Sequence, residues 1–174
     1  ELNIIEVKNL SKDYKYKVRN EEKGFLYNLF NEQEKVVKAV NNISFNVEEG
    51  ETVAFIGPNG AGKSTTIKML TGILYPTKGD IKICGLTPIK DRNKLAFKIG
   101  TVFGQRSQLL PNLPLTESME MFGAMYDMDK VAIKKRINEL SELFDLKEFI
   151  KQPVRKLSLG QRMRAEIATS LIHN

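Results

Sequence analysis

Along this chain the spacing of apolar residues changes period, and each change predicts an element. Residues 2–8 (LNIIEVK) are rich in apolar and β-branched side chains and read as a first strand. Leu10-Ser11-Lys12-Asp13-Tyr14 follows, then a polar stretch to about Lys35 that carries Phe25, Tyr27 and Phe30. Those aromatics are too apolar for a solvated linker, so residues 17–35 read as a surface excursion that folds back. Val36 to Val40 and Ile43 to Val47 predict two strands around an Asn41-Asn42 turn. Glu48-Glu49-Gly50-Glu51 turns the chain into an apolar run, Val53 to Ile56, read as a further strand. That run enters a glycine-rich turn and then a helix starting near Lys63, for which Gly72 is the predicted C-terminal stop.

Pro76-Thr77-Lys78-Gly79 is a turn ahead of a strand at 80–84, residues 91–97 form a short helical pattern, and 98–103 (KIGTVF) read as a strand. Beyond the proline-punctuated LLPNLPLT the period becomes helical. The pattern predicts helices over about 116–128, over 130–144 with Ile133, Ile137, Leu140 and Phe144 on one face, and over about 159–172. Met119, Met121, Met125 and Met128 cluster in the first of these, where core packing outweighs an adaptable contact surface. Strands first, then a glycine turn between strand and helix, then three helices: the order implies an α/β core with an antiparallel edge and a helical lobe.

Composition changes this picture little. With 174 residues, 41% apolar and 28% charged, the chain suits one globular domain and is short for two. No apolar run approaches the length that crosses a bilayer, and the N-terminus lacks a signal-peptide design. The single cysteine, Cys84, excludes an internal disulfide or a multi-cysteine zinc site, and its strand-like surroundings predict a buried, inert thiol in an intracellular setting. The net charge of +6 suits phosphate ligands, nucleic acid or an anionic membrane face, but the lysines are dispersed without interleaved aromatics. No nucleic-acid partner is expected.

Chemistry concentrates in Gly57-Pro58-Asn59-Gly60-Ala61-Gly62-Lys63-Ser64, which fits the spacing G-x-x-x-x-G-K-[ST]. Glycines let successive N–H groups converge on an anion, and the helix that follows adds the positive end of its dipole. In such a loop Lys63 reaches the β- and γ-phosphates and the Ser64 hydroxyl ligates Mg²⁺, with Asn59, Gly60, Ala61, Gly62 and Thr65 completing the cradle.

A second anchor stands about 95 residues after Lys63, at Leu157-Ser158-Leu159-Gly160-Gln161-Arg162-Met163-Arg164. By itself, Ser158 with Gln161 three residues later is a capping box that starts a helix. Paired with the phosphate loop, it resembles the signature LSGGQ of the ATP-binding cassettes of ABC transporters, with Leu159 replacing the first glycine. The segments VFGQRSQL, PVRKLSLGQRMR and IGPNGAGKSTTIKMLTGILYPTKG most resemble ABC-2 type exporters.

The resemblance spans nearly the whole chain and implies a P-loop NTPase core about 1–103 with an antiparallel β subdomain, then a helical signature lobe about 104–174. It implies ATP and Mg²⁺ as cofactors, and makes Gln105, favoured over Gln108, the Q-loop residue that senses Mg²⁺ and the membrane domain. It places Tyr14 on the adenine, with an exposed turn tyrosine as the other reading. It further implies that Ser158, Gly160 and Gln161 of one copy close on the ATP held by the loop of a second cassette. Transmembrane permease subunits would then be moved from the cytoplasmic face of the membrane.

The same resemblance implies a buried strand ending in Asp-Glu, the Walker B run, and later a switch histidine. Within the 174 residues no run of four apolar residues ends on a carboxylate; Asp80 begins a strand, Asp145 closes a helix, and Glu166 reads as solvent-facing or ion-paired on the signature helix. His173 reads as a helix-end side chain near the dipole's negative end rather than the switch. The expectation is an N-terminal part of a cassette that binds nucleotide weakly and does not hydrolyse it alone. Two alternatives stand beside the exporter: a soluble cassette ATPase acting on ribosomes or DNA, and a truncated binding module without catalysis.

Overall fold

The β-branched run that opens the chain forms β1 (Asn3–Val18), in a computed structural model that describes residues 3–18, 33–104 and 107–173. β1 is the middle of a three-stranded sheet, paired antiparallel with β2 (Gln33–Glu48) on one side and β3 (Lys78–Ile83) on the other. Val7 and Leu10 of β1, Val40 and Val47 of β2, and Ile81 and Ile83 of β3 are buried, as are Met69 and Leu70 of helix α1 (Lys63–Leu70). These elements belong to one compact unit, Glu1–Leu95; Ala96–Asn174 form a second, so the division falls ahead of the expected 103/104.

β2 corrects the expectation of two strands around a turn: it is one strand, and Asn41-Asn42 is a bulge within it. Asn42 has φ +53° and Asn9, across the ladder, φ +50°, conformations that asparagine tolerates better than most residues. Backbone N–H groups displaced by the irregularities still need acceptors. Asn42 N–H donates to Ser11 Oγ at 2.9 Å, and Asn9 N–H to Ser44 Oγ at 2.8 Å. A further shift lies between Lys12, opposite Val40, and Asp13, opposite Lys38, leaving Ala39 with no partner across the ladder. The ends of the 17–35 excursion are rungs of this ladder; its residues 19–32 lie outside the described residues.

Two other expected strands do not form. Residues 51–57 and 98–103 lie outside any strand, and Ile56 is 93% exposed. Apolar sequence becomes strand only where another strand completes its hydrogen bonds, and among the described residues neither run has a ladder partner. Cys84, expected in a strand and buried, is exposed and follows β3 at φ +48°.

The second unit is helical, as the 3.6-residue period predicts. α3 (Leu115–Met125) and α4 (Lys130–Leu143) follow the short α2 (Arg92–Ala96), whose last residue opens the second unit, and a 3₁₀ turn (Val154–Lys156) leads to α5 (Leu159–Ser170). Leu115, Met119, Ile133, Ile137, Leu140, Phe149, Ala165, Ala168 and Ile172 close one core, with Met128 and Phe144 packed against it and Met125 exposed. Asp129 caps α4, its carboxylate accepting from Val131 and Ala132 N–H at 2.9 Å each. Gly123 lets α3 and α4 approach, since a Cβ there would stand 2.6 Å from Ile133 Cγ1.

Candidate functional site

The phosphate loop is built from backbone. Gly62, the N-cap of α1, sits at φ +86°, in the left-handed region open to glycine, and no side chain caps the helix. α1 therefore begins with N–H groups that lack an intrahelical partner, the arrangement that favours an anion. Asn59, Gly60, Ala61, Gly62, Lys63, Ser64 and Thr65 all line one cavity of about 200 Å³, so seven residues expected at the site come together. Lys63 Nζ donates to the carbonyls of Gly57 and Pro58 at 2.7 Å each, which folds the ammonium back over the loop. Thr66 secures the first turn by donating from Oγ1 to Gly62 O at 3.0 Å.

One residue of this cavity carries no motif signal. Ala39, the unmatched residue of the β2 bulge, lines it, and its carbonyl oxygen would collide with any Cβ on Gly62. The bulge thus fits beneath Gly62, the loop glycine whose Cβ its carbonyl would meet. No composition or spacing rule points to Ala39, because a bulge is decided by pairing with β1. The Asn41-Asn42 pair marks irregular backbone nearby, without locating it.

Tyr14 does not join the loop cavity. It lies on β1 opposite Val37, is 43% exposed, and has Lys12 Nζ 5.3 Å from its ring centroid. An exposed aromatic face of this kind can take a flat base by stacking. Gln105 lies outside the described residues. Gln108 donates from Nε2 to Thr101 O at 3.2 Å.

In the second unit Ser158 and Gln161 form the expected capping box: Ser158 Oγ accepts from Gln161 N–H at 3.2 Å, and Gln161 Oε1 accepts from Ser158 N–H at 2.9 Å. Leu159 is 76% exposed, and the space around Gly160 is open. Glu166 corrects the solvent-facing or ion-paired reading: it is 7% exposed and makes no ion pair among the described residues. His173 stacks on Tyr126, ring centroids 4.2 Å apart and 19° between planes, and its buried Nδ1 has no hydrogen-bond partner among the described residues. Burial, and then the Arg136 guanidinium, hold its pKa below the ordinary 6.5.

The residues present fit a phosphate chain with Mg²⁺. The loop offers N–H groups, one ammonium and the Ser64 hydroxyl, and no cluster of His, Cys, Asp or Glu among the described residues could cage a metal by itself. A magnesium held by a hydroxyl and substrate phosphates needs no such cage. No described helix is long and apolar enough to cross a membrane.

Known proteins resemble this chain. The profile of the family described as ABC transporter matches residues 40–174. The ABC transporter ATP-binding protein NatA of Bacillus subtilis (strain 168) is 35% identical over 145 residues, 83% of this chain and 59% of that protein. The Nod factor export ATP-binding protein I of Ralstonia nicotianae is 36% identical over 135 residues, 78% of this chain and 42% of its own length. This chain therefore spans between two-fifths and three-fifths of the length of these relatives. Among solved structures, the dimeric post-hydrolysis state of the ATP-binding cassette MJ0796 bound to ADP and Pi superposes with a TM-score of 0.73 at 28% identity, over 98% of this chain and 70% of the other.

Proposed function

The chain belongs to the ABC transporter family, and from that premise we propose that it is the nucleotide-binding part of an exporter's ATP-binding subunit. The observation that carries this reading is the cavity of the first unit, where seven loop residues converge with the Lys63 ammonium folded over them. In our reading Lys63 leaves the Gly57 and Pro58 carbonyls for the β- and γ-phosphates of ATP, exchanging two neutral acceptors for charged ones. The N–H groups at the start of α1 would take the phosphate oxygens, and Ser64 Oγ would hold Mg²⁺. When bound, that ion would neutralise charge between the phosphates. Tyr14 offers its exposed face to the adenine, and Gln105 completes the catalytic set.

Ser158, Gly160 and Gln161 serve the same nucleotide from a second copy. The open surroundings of Gly160 and the exposed start of α5 support this role, since a phosphate held elsewhere can approach them. Permease subunits in the membrane would convert closing and opening of the pair into export. That relatives are named for export and transport favours this over a ribosome- or DNA-acting ATPase. Within the 174 residues no run of four apolar residues ends on a carboxylate, which supports the reading that they bind nucleotide without hydrolysing it alone.

Titration with a fluorescent ATP analogue in the presence of Mg²⁺ tests the reading. Lys63→Ala should weaken binding about 30- to 100-fold, the loss of a charge-assisted contact. Equal affinity in the variant and the parent chain would overturn it.

A further inference from the structure

α4 and α5 end on each other's arginines. The last carbonyls of a helix have no intrahelical partner and carry the negative end of its dipole. At the end of α4 the C-cap is Phe144, and Asp145 follows it outside the helix at φ +57°. Arg164 of α5 donates from Nη1 to Phe144 O at 3.4 Å and to Asp145 O at 3.3 Å. Its guanidinium also lies 3.7 Å from Asp145 Oδ2 and 5.3 Å from the centroid of the buried Phe149 ring.

At the end of α5 the roles reverse. Leu171 is the C-cap, and Arg136 of α4 donates to its carbonyl from Nε at 3.4 Å and from Nη2 at 3.1 Å. Its remaining arm, Nη1, meets Glu139 Oε2 at 3.1 Å, which keeps the fork aimed. Each helix is thus capped by a side chain that starts on the other, at opposite ends of the pair. Two fixed points on a rigid rod determine both its slide along the axis and its rotation. Apolar packing alone constrains neither as tightly, because Ala165 and Ala168 on the buried face of α5 are small.

We propose that Arg136 and Arg164 are positioning residues that set where the Ser158–Gly160 turn stands in the helical lobe. The proposal rests on the reading that this turn meets the nucleotide of a second copy. The two clamps are not equivalent. At Leu171 two nitrogens of one planar fork converge on one oxygen, which an ammonium cannot reproduce; at Phe144 and Asp145 a single nitrogen serves both carbonyls, which a lysine can. Conservative replacement should therefore rescue position 164 and fail at position 136.

The test uses the full chain with nitroxide labels on V131C and L159C in a C84S background, both labelled positions being exposed. The distance distribution between labels should be narrow in the parent and in the surface control Lys135→Ala. It should broaden in Arg136→Ala, Arg164→Ala and Arg136→Lys, and stay narrow in Arg164→Lys. Without labels, the same substitutions that broaden the distance should weaken ATP-dependent pairing of two copies about tenfold, while leaving ATP-analogue affinity of the phosphate loop unchanged. A distance distribution indifferent to both alanine variants overturns the positioning role. Broadening without loss of pairing overturns its link to the nucleotide. If the parent does not pair with ATP, the sandwich reading itself is overturned, and the positioning role is then decided by the distances alone.

Discussion

The two helix starts to which the proposed function assigns the chemistry are opposites in construction. α1 begins on a left-handed glycine with no side chain turned back on it, whereas α5 begins on a serine and a glutamine that satisfy each other's backbone donors. The first leaves its N–H groups to an incoming anion; the second engages part of its own donors internally and is stable without one. In the roles proposed above, the start that binds the phosphates alone has no side-chain cap, and the one that meets a nucleotide held by a second copy keeps its cap. The surroundings match. α1 follows an apolar run that has no ladder partner among the described residues, with Ile56 in solvent, while α5 is seated in an apolar core.

The change that breaks this contrast most severely is Gly62→Ala. It combines a left-handed backbone with a collision against the Ala39 carbonyl, and should cost about 3 kcal/mol in the first unit and abolish detectable binding of the ATP analogue. Calorimetry and titration together check it; a variant that binds normally refutes the account of the loop. In the second unit Gly123→Ala should cost about 2 kcal/mol by forcing a methyl into Ile133, with loop affinity unchanged.

Ser158→Ala sharpens the comparison by removing a cap where one exists. It should lower stability by about 1 kcal/mol in denaturant titration and leave the phosphate loop alone; a comparable loss of ATP-analogue affinity would show that the two starts are not independent. The smallest effect is one of pH. His173 is held below its ordinary pKa of 6.5 by burial and by Arg136, so the unfolded chain takes up its proton first as pH falls. The second unit should be fully stable above about pH 6.5 and should lose stability below it, an effect that Arg136→Ala reduces; melting temperatures between about pH 8 and about pH 5 measure this.

What the sequence made legible was local. The loop glycines, the Ser158–Gln161 box and the helical stripe of Ile133, Ile137 and Leu140 each depend on residues within a few positions, and all formed as expected. What it concealed was pairing. Residues 53–56 and 98–103 have strand composition, yet no strand lies beside them among the described residues. β2 looked divided because an asparagine pair marks a turn and a bulge alike. Cys84 faces solvent because the chain turns through the left-handed region directly after β3, a feature of backbone that a run of β-branched neighbours does not signal. Glu166 is buried, which no pattern within α5 encodes.

The unmatched Ala39 gives the site a dependence of another kind. Its carbonyl lies under the loop because β2 has one residue more than β1 at that rung, so the floor of the cavity is specified by counting and not by chemistry. A main-chain oxygen is supplied by every amino acid, and many replacements could stand at position 39 and leave it in place. Removing the residue would draw Val40 and Lys38 together and shift the ladder past the loop. The arithmetic of the strand, more than its spelling, builds this cradle.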